Sequence, residues 1–541
     1  MSDEKASGEV KSDTPKDEST AHPKALIVRD NIHGDLTIED EYKFIIQHAH
    51  FQRLRHIGQT GHLYLVYPGM RHSRFEHSLG AFHLAKGWYN SIVGKFGKSH
   101  QEKKKFLDVN SDVVTCDGDK LLVTKTFDLY KKLAESQPLN DRWRKIVCTA
   151  ALMHDVGHGP LSHTLEHLKI IAPSDYKDYC SCPDIEEFIS KKLTDKEKIK
   201  HEDLSLIYID EILSEGGGSG QFFQESSKLN TLCVAALVHK DFRTHFLKIA
   251  RAEVSDDDRN LVRLFSNIVG GLFDVDRMDY LERDSKNAGI KYGLVETERL
   301  TKALVPMLSE KKDVLVSGFI CKARLVHALD HFLVCLYEMY TTLYKHPGYE
   351  GFQHEVGEIV RALLKQKRIS TLNVRAHSMQ TDSTFFEMVD TASNGLLTKL
   401  LNRKLMQDRD VFQTYEKSSR QVDQTNGYKL IGDDKRPIVK DNVKVWLINE
   451  SFEETKILPW DVSSLVSGKL KAESYEPQIW WKNESLRKEL EALKVVTVPF
   501  SSLEPALAEL RKDIGEGKSA EEALKTFEEA LGTKKREAKT G

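Results

Sequence analysis

The stretch from Ile146 to His163 combines an apolar run with four side chains that can bind a metal ion or carry a proton. Its first part, Ile146–Met153, is apolar enough to predict a buried helix. His154 and Asp155 follow at once, and His158, one helical turn on, is expected to share a face with His154. Imidazoles and a carboxylate at the end of a buried helix are costly to leave unpaired. One metal ion would satisfy several of them. A single histidine in such a run would more often be an ordinary core residue with a hydrogen-bond partner, but four polar residues within ten positions favour the metal.

Two further segments can complete such a site. Arg71–His77 (RHSRFEH) opens a helical pattern, and Phe273–Asp284 (FDVDRMDYLERD) is a strongly patterned helix. The resulting candidate metal ligands are His77, His154, Asp155 and Asp276. Two imidazoles and two carboxylates without a thiolate suit one divalent transition ion (Fe, Mn, Zn, Co or Ni) and leave coordination positions open. An open ion of this kind lowers the pKa of bound water from 15.7 toward about 7.

The residues near these candidate ligands are mostly cations and proton carriers. Arg74 lies three positions before His77, on the same side of the predicted helix. Arginines neutralise the charge that develops on a phosphate, and a histidine can protonate a leaving group. A purely structural ion needs neither, so the pattern favours a site for phosphate esters. The candidates for these roles are Arg74, His158, His163, His201, Arg277 and Tyr280.

The composition limits the class of protein. The chain has 541 residues, a formal net charge of −3 and seven cysteines without a framework spacing. This charge provides no global attraction for nucleic acid, and the scattered cysteines indicate a reducing, intracellular compartment. No apolar run reaches the roughly 20 residues needed to cross a bilayer, so we expect a soluble protein without membrane contact.

The apolar patterns predict a mainly α-helical fold with a small α/β lobe at the carboxyl end. Residues 1–24 contain almost no large apolar side chain and are expected to be a disordered tail. Residues 25–435 show helical patterns with little sheet and form the predicted catalytic domain. Residues 436–532, with strands at Val443–Ile448 and Val495–Val498, form the predicted lobe, and residues 533–541 a basic tail.

Several local patterns bear on how the site is positioned. Leu26–Val28 predicts a strand, and Glu39–Ile57 predicts one helix. Leu63–Tyr67 predicts an extended piece, and Leu261–Asp284 a long helical segment. Asp108–Lys125 predicts a small hairpin with an Asp-Gly turn.

Four motifs that contain the candidate residues resemble a known family. They are FQRLRHIGQTG, YPGMRHSRFEHSLG, LMHDVGHGPLSH and FDVDRMDYLERD. The four candidate ligands are similar to the H…HD…D signature of HD-domain phosphohydrolases, and the longer motifs resemble the SAM-and-HD-domain deoxynucleoside triphosphate triphosphohydrolases. The resemblance runs from about Ile27 to at least Val360, roughly two-thirds of the chain. It implies a helical HD core that cleaves dNTPs, dGTP included, to deoxynucleoside and inorganic triphosphate. The sequence leaves no room for a SAM domain, so an HD-only relative is expected.

The resemblance also implies roles for individual residues. The four candidate ligands would hold the transition metal, and Mg would accompany the substrate phosphates. His163 would be the acid for the leaving group, and Phe352 would form the wall that excludes a 2′-hydroxyl, where relatives carry tyrosine. Gln59 and Asp284 would hold the sugar 3′-hydroxyl. The implied phosphate contacts, of which the first four are also assigned to catalysis, are Arg74, His158, His163, His201, Arg277 and Tyr280.

The sequence departs from the family at a second, regulatory site. There a guanine nucleotide binds between subunits and drives assembly of a tetramer, and Gln52 and Arg55 match that site. Gln47 stands in place of the aspartate that reads guanine, while Glu355 and Leu26 stand in place of lysines. We therefore expect a homo-oligomer, dimer or tetramer, that GTP activates weakly or not at all.

Two alternative functions remain open. The first is an HD-type nucleotide phosphodiesterase, against which the segment around Asp276 argues. The second is a catalytically weak regulator that binds nucleotides or nucleic acid, against which the complete set of metal and proton positions argues. Nucleic-acid binding has no support in the sequence. The basic residues Lys534–Arg536 are either solvated or a nuclear address, and the dNTP chemistry makes the nucleus the suspected compartment.

Overall fold

The computed structural model describes most of residues 25–402 and separate pieces beyond them. The described residues are 25–96, 114–116, 119–168, 170–195, 197–215, 222–223, 227–249, 253–309, 318–322, 325–402, 413–415, 429–431, 445–450, 455–459, 478–481, 486 and 488–490. Within them the protein is mainly α-helical, as the sequence predicts.

The helices are named in chain order. The first nine are α1 (Lys43–Gln47), α2 (Ala49–Arg53), α3 (Arg74–Phe96), α4 (Val123–Glu135), α5 (Gln137–Met153), α6 (His163–His167), α7 (Pro183–Thr194), α8 (His201–Glu215) and α9 (Ser227–Val238). They are followed by α10 (Lys240–Lys248), α11 (Asp256–Gly270), α12 (Val275–Ala288), α13 (Thr297–Ala303), α14 (Val326–Met339), α15 (Pro347–Lys365), α16 (Val374–Met379), α17 (Asp382–Ala392) and α18 (Leu396–Leu401). Short 3-10 helices cover Asp40–Tyr42, Leu54–His56, Gly61–Leu65 and Tyr176–Asp178, and a π-helical turn covers Tyr340–Tyr344.

The strands form small sheets at the periphery. They are β1 (Leu26–Asp30), β2 (Gly34–Ile38), β3 (Val114–Cys116), β4 (Asp119–Leu121), β5 (Val305–Met307), β6 (Gly318–Lys322), β7 (Gln413–Tyr415), β8 (Lys429–Ile431), β9 (Val445–Glu450), β10 (Thr455–Pro459) and β11 (Gln478–Trp481). Strands β1 and β2 pair antiparallel, as do β3 and β4. The larger sheets have the orders β10-β9-β6-β5 and β7-β11-β8. The pairing of β6 with β9 is parallel and joins the helical region to the carboxyl-terminal strands.

Three helices bring the predicted metal ligands together. Helix α3 packs along both α5 and α12, and α9 also packs against α5. Trp88 of α3 and Trp143 of α5 are fully buried in this core. Helix α12 begins with the Asp274 carboxylate accepting the Arg277 N–H at 2.8 Å, a side-chain cap that fixes where the helix starts. The core therefore fixes the three backbone segments that carry the ligands.

A second apolar cluster lies beside this core. It is built from α15, α17 and α18 and includes Phe352, Val356, Phe385 and Leu397. Leu161 and Leu165, on either side of His163, also belong to it. The segment that carries His163 thus packs on helices from much later in the chain.

The structure confirms some local predictions and corrects others. The strand at Leu26 and the hairpin strands β3 and β4 are present, although residues 117–118 of the predicted turn lie outside the described residues. The helix predicted over Glu39–Ile57 is interrupted at His48, whose φ of −65° and ψ of 142° are extended. Leu63–Tyr67 was predicted as extended but begins in a 3-10 helix, and Leu261–Asp284 is divided between α11 and α12 at Gly271, whose φ of −98° and ψ of −162° are not helical.

The carboxyl-terminal predictions are covered only in part. The strand predicted at Val443–Ile448 corresponds to β9. The strand at Val495–Val498 and the tail Lys534–Arg536 lie outside the described residues. Among the helices that the structure describes, none is long and apolar enough to cross a bilayer.

Candidate active site

Four side chains from three elements converge in the helical core. His77 lies on α3, His154 and Asp155 follow the end of α5, and Asp276 is the second residue of α12. His77 Nε2 lies 3.2 Å from His154 Nε2 and 3.0 Å from Asp276 Oδ1. An Asp155 oxygen lies 3.7 Å from His77 Nε2, and the other lies 3.5 Å from His154 Nε2. The structure thus brings together the four residues that we predicted from the sequence as metal ligands.

The two imidazoles present their Nε2 atoms to each other. His77 Nδ1 lies 2.8 Å from Asp279 Oδ2, and His154 Nδ1 lies 2.8 Å from the carbonyl oxygen of Ala151. Because each Nδ1 faces an acceptor, it carries a ring proton, and Nε2 is the nitrogen of each ring that can offer a lone pair. Two such lone pairs 3.2 Å apart repel each other unless a cation lies between them. The orientation of the rings therefore fits a metal ion.

The spacing of His77, His154 and Asp155, with Asp276 beside the two histidines, is close to that of ligands of one ion. Atoms bound about 2.1 Å from one ion, at right-angled to tetrahedral angles, lie about 3.0–3.4 Å apart. The separations of His77 and His154 from each other and from the two carboxylates run from 3.0 to 3.7 Å. Burial lowers the pKa of His77, but its contacts with Asp276 and Asp279 outweigh burial and raise that pKa to about 10. The pocket therefore attracts positive charge, as a cation site must.

Asp279 is the buried carboxylate that orients His77. Besides the His77 ring, it faces His33 Nε2 at 2.7 Å and accepts from the Arg283 guanidinium at 2.8 and 2.9 Å. Arg283 is fully buried and also donates to Asp30 on β1 at 2.8 Å. Burial raises the pKa of Asp279, but Arg283 and the two histidines outweigh it and hold that pKa well below its usual range. An ionised carboxylate behind a metal-binding imidazole fixes its tautomer and ring orientation.

Asp155 joins the candidate metal ligands to a group of three histidines. Its carboxylate accepts from Arg74 and lies 3.4 Å from His158 Nε2. The His158 ring stacks on His201 with 3.6 Å between centroids, and the His163 ring lies 4.9 Å from His158 and 5.3 Å from His201. Burial, with the charges of Arg74 and His201, holds the pKa of His158 well below its usual value, so this ring is neutral. His163 is the exposed member of the group.

The prediction that His154 and His158 share a helical face is wrong. Helix α5 ends at Met153, and residues 154–157 form a turn. The His154 ring therefore lies with His77, whereas the His158 ring lies with His201. The turn lies against the start of α8, where a Cβ on Gly157 would lie 2.2 Å from the carbonyl oxygen of His201. This close approach requires glycine and brings His201 beside His158.

Arg74 links the walls of the pocket. Its side chain is 2% exposed, and each of its three nitrogens donates to the protein. Nε donates to Ser162 Oγ at 3.2 Å, one terminal nitrogen to the carbonyl oxygen of Gln59 at 3.1 Å, and the other to Asp155. Arg74 therefore aligns three pocket segments in addition to the phosphate contact predicted for it.

The two residues predicted to hold the sugar are both buried. Gln59 Oε1 has no hydrogen-bond partner among the described residues. Asp284 lies 2.6 Å from His72 Nε2 and accepts from the Tyr344 hydroxyl at 2.6 Å. His72 and Tyr344 were not identified from the sequence, and they fix the orientation of the Asp284 carboxylate.

The remaining predicted substrate contacts lie near the pocket in different settings. Arg277 donates to Asp274 Oδ2 at 2.5 Å and to the carbonyl oxygen of Gly271 at 2.7 Å, so its guanidinium is held at the start of α12. The Tyr280 ring lies 6.4 Å from the His77 ring. Phe352 is 2% exposed and packs in the second apolar cluster, which contains Leu161 and Leu165.

Three of the positions assigned to a regulatory nucleotide, Gln47, Gln52 and Arg55, lie on and just after α1 and α2, whereas Leu26 lies on β1 and Glu355 on α15. Arg55 Nε donates to Gln52 Oε1 at 2.8 Å, and its guanidinium lies 3.5 Å from the centre of the Phe75 ring. Gln47 is exposed. Glu355 was placed at a phosphate-binding position, but its side chain is 0% exposed. A buried carboxylate does not face a surface nucleotide, so the structure does not support placing Glu355 at a phosphate-binding position.

The residues that sequence reasoning missed are those that orient the site. For Asp279 the signal was available, because it follows Asp276 by three positions on α12 and therefore lies on the same side of the helix. Gly80, three positions after His77, was a second signal: a Cβ there would lie 1.8 Å from Asp279 Oδ1. The role of Arg53 had no such signal. It donates to the carbonyl oxygens of Val156 and His158, and no local pattern places it there.

Comparison with known proteins gives relatives of the same kind. No family model matches the chain. Deoxynucleoside triphosphate triphosphohydrolase SAMHD1 of Xenopus laevis is 25% identical over 361 residues, which cover 62% of this chain and 44% of that protein. A putative HD domain-containing protein of Acanthamoeba polyphaga mimivirus is 23% identical over 67% of this chain and 64% of its own length. An uncharacterized protein of Methanocaldococcus jannaschii is 26% identical over 70% and 58% respectively.

The matched region is shorter than these relatives, since it spans 44 to 64% of their lengths. It nevertheless covers more than half of this chain in each case. The resemblance carried by the four motifs is confirmed: the chain is a distant relative of the HD-domain deoxynucleoside triphosphate triphosphohydrolases and of other HD-domain proteins.

Proposed function

We propose that the protein is a metal-dependent hydrolase that cleaves deoxynucleoside triphosphates, dGTP among them, to a deoxynucleoside and inorganic triphosphate. The observation that carries the proposal is the position of Asp155. Its carboxylate lies beside the His77–His154 pair and also faces His158 of the three-histidine group. A metal set and a group of proton carriers therefore share one pocket, which is the arrangement that hydrolysis of a phosphate ester needs.

The reaction breaks the bond between the α-phosphorus and the 5′-oxygen of the nucleotide. Water adds its oxygen to the α-phosphorus, and the 5′-oxygen leaves as a hydroxyl after gaining a proton. The ion would be held by His77, His154, Asp155 and Asp276, and when bound it would polarise the phosphate and acidify water. Mg would accompany the substrate phosphates.

Protein groups account for the proton transfer. His163 is exposed at the edge of the histidine group and is the residue we assign to protonate the 5′-oxygen. His158 is neutral and stacks on His201, and both rings lie beside the His163 ring. We assign them as further contacts to the phosphates. Arg74 keeps Asp155 ionised, and we assign its unused N–H bonds and the guanidinium of Arg277 to the phosphate oxygens.

The sugar would lie at the opposite wall of the pocket. A 3′-hydroxyl could donate to Gln59 Oε1, a buried acceptor without a partner among the described residues. Burying such a group unpaired costs about 1–3 kcal/mol, so a ligand that pairs with it is favoured. The 3′-hydroxyl has one proton, so Asp284 would be the alternative acceptor for it. Tyr280 and Phe352 would bound the space around the ring.

The test is product analysis with metal-loaded protein. Each dNTP is incubated with the protein, and the products are separated by ion exchange. Inorganic triphosphate and deoxynucleoside should appear in equal amounts, and chelation of the metal should stop the reaction. Pyrophosphate with a deoxynucleoside monophosphate would contradict the proposal, as would cleavage of cyclic nucleotides alone. Nucleotide binding without turnover under every candidate ion would indicate a regulator instead.

The same proposal includes assembly and location. The relatives named as triphosphohydrolases lead us to expect a homo-oligomer, dimer or tetramer, which light scattering can measure. The suspected nuclear location rests on Lys534–Arg536 and on the dNTP chemistry. Imaging of the tagged full chain, with and without those three residues, tests it.

A further inference from the structure

The backbone that leads into His163 has an uncommon conformation. Leu161 has a φ of 59° and Ser162 a φ of 52° with ψ of −128°, and α6 begins at the next residue. Residues that carry a Cβ rarely adopt positive φ, and they keep it only where surrounding contacts enforce it. Two such residues in succession next to the assigned acid call for an identifiable restraint.

One carboxylate supplies such a restraint. Asp382 Oδ1 accepts the Leu161 N–H at 2.9 Å, and its Oδ2 accepts the Gly58 N–H at 2.8 Å. Gly58 precedes Gln59, the residue assigned to the sugar. A Cβ on Gly58 would lie 3.3 Å from Asp382 Oδ2, so the carboxylate is seated directly against this backbone. Asp382 therefore bridges the segment before the assigned acid and the segment before the sugar contact.

The same two segments are also linked by side chains in the pocket. Ser162 Oγ donates to the carbonyl oxygen of Gly58 at 2.8 Å, and Arg74 Nε donates to Ser162 Oγ. Gly58 thus uses its N–H toward Asp382 and its carbonyl toward Ser162. Hydrogen bonds thus connect the Leu161–Ser162 turn, the Gly58 segment and Arg74 to one another. Asp382 adds a further link between the turn and Gly58.

A role for Asp382 in its own helix does not explain these contacts. It is the first residue of α17, where a carboxylate can stabilise a helix amino terminus. That terminus is already capped, because the Thr381 side chain accepts the Thr384 N–H and the Thr384 side chain accepts the Thr381 N–H. Both Asp382 oxygens instead accept N–H groups from residues 221 and 324 positions away in sequence.

The segment before Asp382 is itself fixed to the pocket. Arg53 donates from one terminal nitrogen to the carbonyl oxygens of Val156 and His158, at 3.1 and 2.7 Å. Its other terminal nitrogen donates to the carbonyl oxygen of Gln380 at 3.2 Å. The segment that precedes Asp382 is therefore held by the same guanidinium that contacts the turn after His154.

We infer that Asp382 is a positioning residue: it holds the Leu161–Ser162 turn in its positive-φ conformation and so directs His163 toward the 5′-oxygen of the substrate. The catalytic part of this inference rests on the proposed function. The structural part, that Asp382 enforces the conformation of the turn and of Gly58, does not.

The structural part is tested without substrate, by amide hydrogen exchange of the full chain. In Asp382→Ala, peptides that cover residues 57–62 and 158–165 should exchange at least tenfold faster, while peptides from α3, α5 and α12 stay unchanged. The matched control is Asp390→Asn on the same helix, whose carboxylate accepts the Thr398 N–H and hydroxyl, each at 2.7 Å, away from the pocket. It should leave both peptides as in the parent. Unchanged exchange in Asp382→Ala, or equal acceleration throughout the molecule, would overturn the inference.

The catalytic part is tested by separating kcat from KM. Asp382→Asn keeps one acceptor oxygen but turns an amide NH2 toward a backbone N–H. We therefore expect kcat to fall about tenfold from the parent to Asp382→Asn and about tenfold again to Asp382→Ala. KM and metal content should change little in both variants. A dNTP analogue with sulfur at the bridging 5′ position leaves as a thiolate, which needs no proton. Its hydrolysis by Asp382→Ala should stay within threefold of the parent, as it should in His163→Ala.

The outcomes separate this inference from the proposed function. If the parent protein releases no triphosphate from dNTPs, the proposed function fails, and the exchange measurement alone decides whether Asp382 holds the turn. If the oxygen and sulfur substrates lose rate equally in Asp382→Ala, the residue does not act through His163. A loss confined to the melting temperature, with kcat of the folded protein unchanged, would make Asp382 merely structural.

Discussion

The metal pocket and the Gln47–Arg55 segment contain similar polar groups but hold them differently. In the pocket, the far side of each imidazole is tied to a buried acceptor, Asp279 for His77 and the Ala151 carbonyl for His154. In the segment, Gln52 and Arg55 bond to each other, and Gln47 is exposed. The pocket is therefore organised in advance for a ligand, whereas a ligand at the segment must first break an internal hydrogen bond. We therefore expect the pocket to bind its ligand more readily than the segment binds a regulatory nucleotide.

Removing a metal ligand should have the largest effect. Asp276→Ala deletes the carboxylate oxygen that lies within 3.0 Å of His77 Nε2 and 3.5 Å of His154 Nε2. We expect turnover to fall below detection and bound metal to fall with it, while circular dichroism shows the parent helix content. Glu282→Ala, on the same helix, is the control and should keep both metal and activity. A folded Asp276→Ala protein with parental turnover would remove the metal assignment.

Removing the assigned acid, His163, should reduce turnover nearly as much, but without loss of the metal. His163→Ala should lower kcat by about 10²–10⁴-fold, because general acid catalysis acts in the transition state. KM should change little, and the metal content should equal that of the parent, because His163 is not among the four ligands. Steady-state kinetics with dTTP provides the measurement. A raised KM at unchanged kcat would instead make His163 a ground-state phosphate contact.

Weakening the support behind a ligand should have a smaller effect. Asp279→Asn keeps the shape of the side chain but removes the charge that fixes the His77 ring and pairs with Arg283. Changes behind a metal ligand typically cost about 10–100-fold in metal affinity or activity. We expect a metal titration to shift by that factor, with activity recovered at high metal concentration. No recovery at saturating metal would show that Asp279 serves the fold rather than the ligand.

The smallest effect is expected for GTP. Gln47 can accept from a guanine base but carries no charge, and charge-assisted hydrogen bonds are about twice as strong as neutral ones. GTP titrated into metal-loaded protein should therefore change dTTP hydrolysis by less than about twofold and leave the mass in light scattering unchanged. Gln47→Asp is the informative partner variant, since it restores the carboxylate. Saturable activation of the parent at micromolar GTP, with assembly, would show that the segment binds a regulator as it stands.

Local patterns sufficed to predict the ligand-bearing helices. The apolar run Ile146–Met153, the helical pattern that Arg71–His77 opens and the pattern around Asp276 each predict a helix from residues within that segment. The four ligands could therefore be named from sequence and family resemblance before their geometry was known. Their meeting within 3.0–3.7 Å follows from the packing of α3 on α5 and α12.

The remaining features depend on contacts between distant segments. Helix α5 ends at Met153 because the turn after it must fit against α8 at Gly157, and no residue near Met153 signals this. The pairing of β6 with β9 and the bonds from Asp382 to Leu161 and Gly58 join residues more than 100 positions apart. Periodicity and turn chemistry act over a few residues, so they carry no information about such partners.

The most direct test of the metal assignment is the metal content and ligand environment of the purified full chain. Elemental analysis should give one transition ion per chain, and X-ray absorption at its edge should show scattering from two imidazoles. In Asp276→Ala the content should fall to less than about a tenth. An ion retained in that variant, or an absorption spectrum without imidazole scattering, would contradict a site formed by His77, His154, Asp155 and Asp276.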